Sequence, residues 1–172
     1  NGFPGMLWSD ITVGRRHSCA IRSDGSAWCW GSDDSGQLGS SAPMDDLCVV
    51  DDEEFPCTDE PVLVDGGRTY TMIDTEGWNH HTCALATGGT AWCWGGAFRT
   101  GTPSAVPGVQ FTSIEVGPFS LCGVGTDGRG YCWSWVGTPG APVSTTLTFR
   151  HVEPVGDGGC GITTSNVIYC WG

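Results

Sequence analysis

Short apolar runs punctuated by glycine and proline follow one another along the chain, and no stretch keeps a helical period long enough for an amphipathic helix. Four times an aromatic residue stands three before a β-branched one: Trp8 and Ile11, Tyr70 and Ile73, Phe111 and Ile114, Phe149 and Val152. A glycine follows each pair, at positions 14, 77, 117 and 156. Next come Cys-Ala-Ile (19–21), Cys-Ala-Leu (83–85), Cys-Gly-Val (122–124) and Cys-Gly-Ile (160–162). Each unit closes on an aromatic-Cys-Trp triplet: Trp28-Cys29-Trp30, Trp92-Cys93-Trp94, Tyr131-Cys132-Trp133 and Tyr169-Cys170-Trp171. Agreement at so many positions is an internal repeat, and the short apolar runs between turn residues predict strands.

The spacing also predicts how those strands pair. With Cys19 opposite Cys29 in an antiparallel hairpin, Ala20 faces Trp28 and Ile21 faces Ala27, leaving the loop Ser23-Asp24-Gly25. Such three-residue loops need a left-handed residue in last place, where glycine is the least strained and asparagine next. The same construction in the other units gives Gly89, Gly128 and Asn166 at that place. Directly opposed residues lie within disulfide reach. The cysteines are therefore expected to pair in sequence: Cys19 with Cys29, Cys48 with Cys57, Cys83 with Cys93, Cys122 with Cys132 and Cys160 with Cys170. Each bridge closes a loop of roughly ten residues, which in the chain-entropy model contributes about 2–3 kcal/mol.

Composition narrows the class. The 172 residues include 28 glycines and 10 prolines, which favours short strands joined by turns. Ten cysteines, an even number with no cluster two to four residues apart, argue for disulfides over zinc. Disulfides persist in oxidising compartments, so an extracellular or cell-surface location is expected. The chain starts at Asn1 without a signal-peptide pattern and reads as a mature form or the ordered part of something longer. Its net charge of −12 would repel nucleic acid and anionic membrane surfaces, and no apolar run is long enough to span a bilayer. Tryptophans recurring at one repeat position read as packing between repeats more than as ligand-stacking residues.

The segment from His17 through Trp28-Cys29-Trp30-Gly31, followed by Gly36-Gln37-Leu38-Gly39, resembles the regulator of chromosome condensation repeat. The stretch from His81 to Gly95 resembles it too, whereas Ser120 and Gly158 stand where the later units would carry the histidine. The likeness is greatest to a bacterial, secreted variety in which cysteines replace two hydrophobic positions. It implies an all-β, β-propeller-like domain of four disulfide-stapled blades, either a compact four-bladed ring, a partial propeller or a unit of a larger assembly. Family members include an exchange factor for a small GTPase, a plant ultraviolet receptor and a bacterial β-lactamase inhibitor, so the fold leaves function open. The repeat units span about 8–40, 70–95, 111–134 and 149–172 within one domain covering 1–172, with an acidic insertion at 42–61.

That insertion holds eight carboxylates, including Asp45, Asp46, Asp51 and Asp52, and Cys48 and Cys57 are expected to close it into a flap. Calcium is conceivable there, but the spacing is not an EF-hand and a solvated acidic loop is the commoner outcome. No nucleophile elbow, P-loop or zincin helix is present. No catalytic residue, metal ligand or cofactor is therefore assigned. His17 and His81 share one repeat position and read as structural, while His80 and His151 have no partner recognisable in the sequence. The expected function is non-enzymatic: an extracellular structural or adhesive protein, self-associating head to tail into a homopolymeric surface fibre. The alternative is a secreted module binding a protein or glycan through its blade-tip loops.

Overall fold

The computed structural model describes residues 5–44, 46–50, 52–78, 80–96, 101–134, 139–156 and 158–172. Fifteen strands among them form four antiparallel sheets. The first sheet comprises β1 (Trp8–Val13), β2 (His17–Arg22), β3 (Ala27–Ser32), β4 (Asp46–Val50) and β5 (Glu53–Leu63). The second has β6 (Tyr70–Thr75), β7 (Thr82–Ala86), β8 (Ala91–Trp94) and the short β9 (Ser104–Ala105). The third is β10 (Phe111–Val116), β11 (Ser120–Gly125) and β12 (Gly130–Ser134). The fourth is β13 (Phe149–Val155), β14 (Gly158–Thr163) and β15 (Ile168–Trp171). Each sheet is one blade, and β1, β6, β10 and β13 lie innermost, side by side. No α-helix occurs among the described residues.

One construction recurs in every blade. Cys19 is opposite Cys29, Cys83 opposite Cys93, Cys122 opposite Cys132 and Cys160 opposite Cys170. The turns between them put Gly25, Gly89, Gly128 and Asn166 at φ of 84°, 89°, 79° and 63°. These are left-handed values that a branched side chain would resist. On the inner strand the pairing slips by one residue just after the aromatic, between Trp8 and Asp10, and again at the matching place in the other three blades. Such a bulge re-aims the aromatic ring relative to the rest of its strand.

Blades stack by setting the cysteine face of one against the aromatic face of the next. Cys19, Ile21, Ala27 and Cys29 pack on Tyr70, Ile73, Ala84 and Trp94. Cys83, Leu85, Ala91 and Cys93 pack on Phe111, Ile114 and Trp133. Cys122 and Val124 pack on Phe149, Val152 and Trp171. Small residues at 20, 84, 123 and 161 let the aromatic rings lie flat over the strand beside them; a methyl at Gly123 would stand 2.7 Å from Phe111 Cδ1. A backbone hydrogen bond seals each junction. The N–H groups of Tyr70, Phe111 and Phe149 donate to the carbonyls of Gly25, Gly89 and Gly128 at 2.8, 2.7 and 2.8 Å.

The acidic insertion departs from a separate flap. Its β4–β5 hairpin joins the first sheet, with Thr58 of β5 opposite Gly31 and Val62 opposite Cys29 of β3. An outer strand otherwise leaves a row of unpaired N–H and C=O groups, and β5 covers that edge. Phe55 is buried beneath it, with the Arg16 guanidinium 5.1 Å from its ring centre.

Candidate functional site: two open end faces and an axial cluster

Among the described residues, the three junctions inside the chain leave two blade faces with no further blade packed on them, one at each end of the arc. On the first blade, Trp8, Ile11 and Trp30 occupy the positions that Tyr70, Ile73 and Trp94 fill in the second. With Ser9, Asp10 and Ala20 they line an apolar cleft of about 570 Å³, in which the Trp8 and Trp30 rings lie 6.3 Å apart. Ile11 is 62% exposed, whereas its counterparts Ile73, Ile114 and Val152 are at most 4% exposed. Among the described residues no blade lies in front of it.

The opposite face lies on the fourth blade. Cys160, Ile162, Ile168 and Cys170 occupy the positions of Cys19, Ile21, Ala27 and Cys29. Ile168 is 68% exposed and Cys170 is also exposed, while Ala27 and Cys29 are at most 1% exposed. The arc is therefore a partial propeller with an aromatic face at one end and a cysteine face at the other. These are the two halves of the junction that the chain makes three times internally. By repeat position, the N–H of Trp8 and the carbonyl of Asn166 correspond to the donor and acceptor of the sealing bond.

A second constellation lies along the inner strands. Thr12, Asp74, Glu115 and Glu153 are each paired with the first cysteine of their blade, so the last three blades carry a carboxylate at one repeat position. Glu115 Oε1 is 3.7 Å from His151 Nδ1, and Glu153 Oε1 is 2.9 Å from His151 Nε2. The three side chains bring ligand atoms within 4.8 Å of one another. Burial pushes Glu115 up to about 7, reinforced by the negative charges of Asp74 and Glu153 and opposed by His151. Asp74 is also raised by burial, although the N–H groups of Val116 and Thr75 and the Thr12 hydroxyl donate to it. Sequence reading left His151 without a partner because its carboxylates come from two blades. The available signal was the acid that directly follows Ile73, Ile114 and Val152.

The remaining sequence candidates have structural surroundings. His17 is buried, with Nε2 at 2.8 Å from Thr82 Oγ1, and that hydroxyl donates to the Gln37 carbonyl at 3.3 Å. The same carbonyl accepts from Trp94 Nε1 at 3.0 Å, so the Gly-Gln-Leu-Gly segment is wedged between the first two blades. Burial lowers both His17 and His81 to about 4, which keeps them neutral. His80 holds a left-handed φ of 60° and sits 3.4 Å from Gln37 Nε2. The first tryptophans of two triplets, Trp28 and Trp92, receive arginines, Arg22 at 5.7 Å and Arg68 at 3.5 Å from the ring centres. All ten cysteines lie in five bridges, Cys48–Cys57 closing the insertion. Among the described residues the acids of the insertion form no three-ligand group, and Asp45 and Asp51 lie outside those residues.

Comparison with known proteins agrees with this architecture. A family model described as the regulator of chromosome condensation (RCC1) repeat matches residues 8–37. Residues 8–37 are thus a regulator of chromosome condensation repeat, and the other three blades share its construction. A relative in Arabidopsis thaliana, the mitochondrial RCC1 domain-containing protein RUG3, is 29% identical over 114 residues, covering 65% of this chain and 23% of that protein. The crystal structure of human WBSCR16 superposes with a TM-score of 0.77 at 15% identity, covering 99% of this chain and 48% of that one. Prp20p of Saccharomyces cerevisiae, described with its binding to Gsp1p and histones, gives a TM-score of 0.71 at 18% identity over 96% of this chain and 44% of its own. The chain thus spans from about a quarter to about half the length of these RCC1-repeat propellers. The human E3 ubiquitin-protein ligase HERC2 is 29% identical over 85 residues, covering 49% of this chain and 2% of that protein.

Proposed function

We propose that this chain is an extracellular, non-enzymatic structural or adhesive module, a single repeat domain that polymerises head to tail into a surface fibre. The observation that carries the reading is the correspondence between the faces of its first and fourth blades. The Trp8–Ile11–Trp30 face and the Cys160–Ile168–Cys170 face are the two sides of a junction already made three times within the chain. Docking the fourth blade of one copy on the first blade of another buries Ile11 and Ile168 at no new design cost. Because the contact is heterologous, it propagates unless the rotation closes a ring. Exposed apolar faces and strand edges are surfaces that proteins ordinarily cover. The five disulfides suit an oxidising compartment, consistent with secretion. Net charge of −12 disfavours nucleic acid as a partner.

Negative-stain electron microscopy of the oxidised protein across a concentration series tests the reading. Filaments whose axial repeat is one small domain support it, and a strictly monomeric protein at every concentration overturns it. A second reading rests on the loops between first and second strands, where Trp78 is 74% and Phe119 61% exposed, with Arg15 stacked 5.9 Å from the Trp78 ring centre. Those rings suit a protein or glycan ligand held at the blade tips, and the similar Prp20p is described as binding the proteins Gsp1p and histones.

A further inference from the structure

We infer that Glu115, His151 and Glu153 form a binding site for a divalent transition cation of the zinc type, spanning the junction of the third and fourth blades. Glu115 lies on β10; His151 and Glu153 lie two apart on β13, hence on one face of that strand. Their ligand atoms already fall within 4.8 Å of one another, so small side-chain rotations bring them to a common ion at about 2.0–2.2 Å.

Two further observations favour a cation over a plain ion pair. His151 is the sole basic side chain within ion-pairing distance of Glu115 or Glu153 among the described residues, so two carboxylates share one imidazole. Asp74, at the same repeat position on the neighbouring inner strand, adds a third carboxyl group without bringing a base of its own. The surplus is one of carboxyl groups, partly withdrawn from water. An imidazole with two carboxylates is a donor set suited to zinc and its neighbours more than to calcium or magnesium, which favour oxygen alone. Three protein ligands leave a coordination position for water, and the partial exposure of His151 and Glu153 gives an ion a way in.

Such an ion would act as a non-covalent staple. The third junction buries four apolar side chains, Cys122, Val124, Phe149 and Val152, a smaller cluster than either of the others. A cation held by β10 and β13 ties together two blades across the junction whose fully buried apolar cluster is smallest.

Isothermal titration of chelator-treated, oxidised protein with ZnCl₂ tests the site, with thermal melting as a second readout. The expected result is one ion per chain at micromolar or tighter affinity, and a melting temperature that rises with zinc. His151→Gln and Glu153→Gln, both at solvent-accessible positions, should each weaken binding by at least about tenfold. His80→Asn, which tolerates the left-handed backbone there, should leave binding unchanged. Absence of binding at millimolar zinc would overturn the inference, and so would zinc binding that survives His151→Gln or vanishes in His80→Asn. None of these outcomes depends on whether the chain polymerises, because the ligands lie on internal strands.

Discussion

Ile11 and Ile114 occupy the same repeat position, facing Ala20 and Gly123 across the ladder, yet one is 62% exposed and the other fully buried. Replacing each with alanine removes the same atoms from two different environments. Ile114 packs between the second and third blades among Leu85, Phe111 and Leu121, so Ile114→Ala loses the transfer energy of the deleted carbons and leaves a cavity. That combination costs about 2–5 kcal/mol, and about 3 kcal/mol is the expectation here. In dilute solution Ile11→Ala gives up little buried area, and its cost should stay below about 1 kcal/mol. With about 2–4 °C of melting temperature per kcal/mol in a chain of this size, Ile114→Ala should melt roughly 6–12 °C lower than wild type and Ile11→Ala within about 3 °C. Calorimetry at low protein concentration, with disulfides intact, reads both. Equal losses at the two positions would refute the claim that Ile11 stands uncovered in the single chain.

Two other predictions follow from the interior. His17 is held neutral by burial at about 4 against an ordinary 6.5, so the unfolded chain takes up its proton first as pH falls. Its contribution is complete above about pH 6.5 and is lost progressively between there and about pH 4. Urea unfolding at about pH 7.5 and about pH 4.5 should show wild type losing about 2 kcal/mol more than His17→Gln; identical losses would remove His17 from the acid response. Replacing both Cys122 and Cys132 with alanine should destabilise the chain by about 2–4 kcal/mol in denaturant titration while keeping a cooperative transition. A cost below about 1 kcal/mol would mean that the Cys122–Cys132 bridge does not staple its blade.

Much of this architecture is legible in the chain because each blade states it twice, once in the cysteine spacing and once in the turn residue. A hairpin register inferred from Cys19 and Cys29 demands a left-handed residue at 25, and Gly25, Gly89, Gly128 and Asn166 supply it. The aromatic partners Tyr70, Phe111 and Phe149 are likewise recognisable as packing surfaces, since they recur at one position. The outer edge of the first blade was less readable. Pro56 and Pro61 in β5 speak against a strand, yet Pro56 faces Leu47 of β4 while its carbonyl accepts from Asp33 N–H at 2.8 Å, so the missing proline donor breaks no essential bond. The acidic composition of that segment concealed a sheet extension. The Glu115–His151–Glu153 cluster was hidden for another reason. Glu115 lies far along the chain from His151 and Glu153, and only the packing of the third blade against the fourth brings β10 and β13 together. Composition also says nothing about which blade faces remain uncovered, because that depends on how far four blades turn about the axis.

Polarised self-association is the central claim, and a complementation measurement tests it most directly. Ile11→Glu spoils the aromatic face and keeps the cysteine face; Ile168→Glu does the reverse. Sedimentation equilibrium of each variant alone should show monomers, because a charge buried at the junction is costly without a partner. Mixed in equal amounts, the two should form a one-to-one heterodimer and stop there, since each supplies the single intact face the other lacks. Polymers from either variant alone, or a mixture that remains monomeric while the wild type assembles, would contradict head-to-tail docking through these faces.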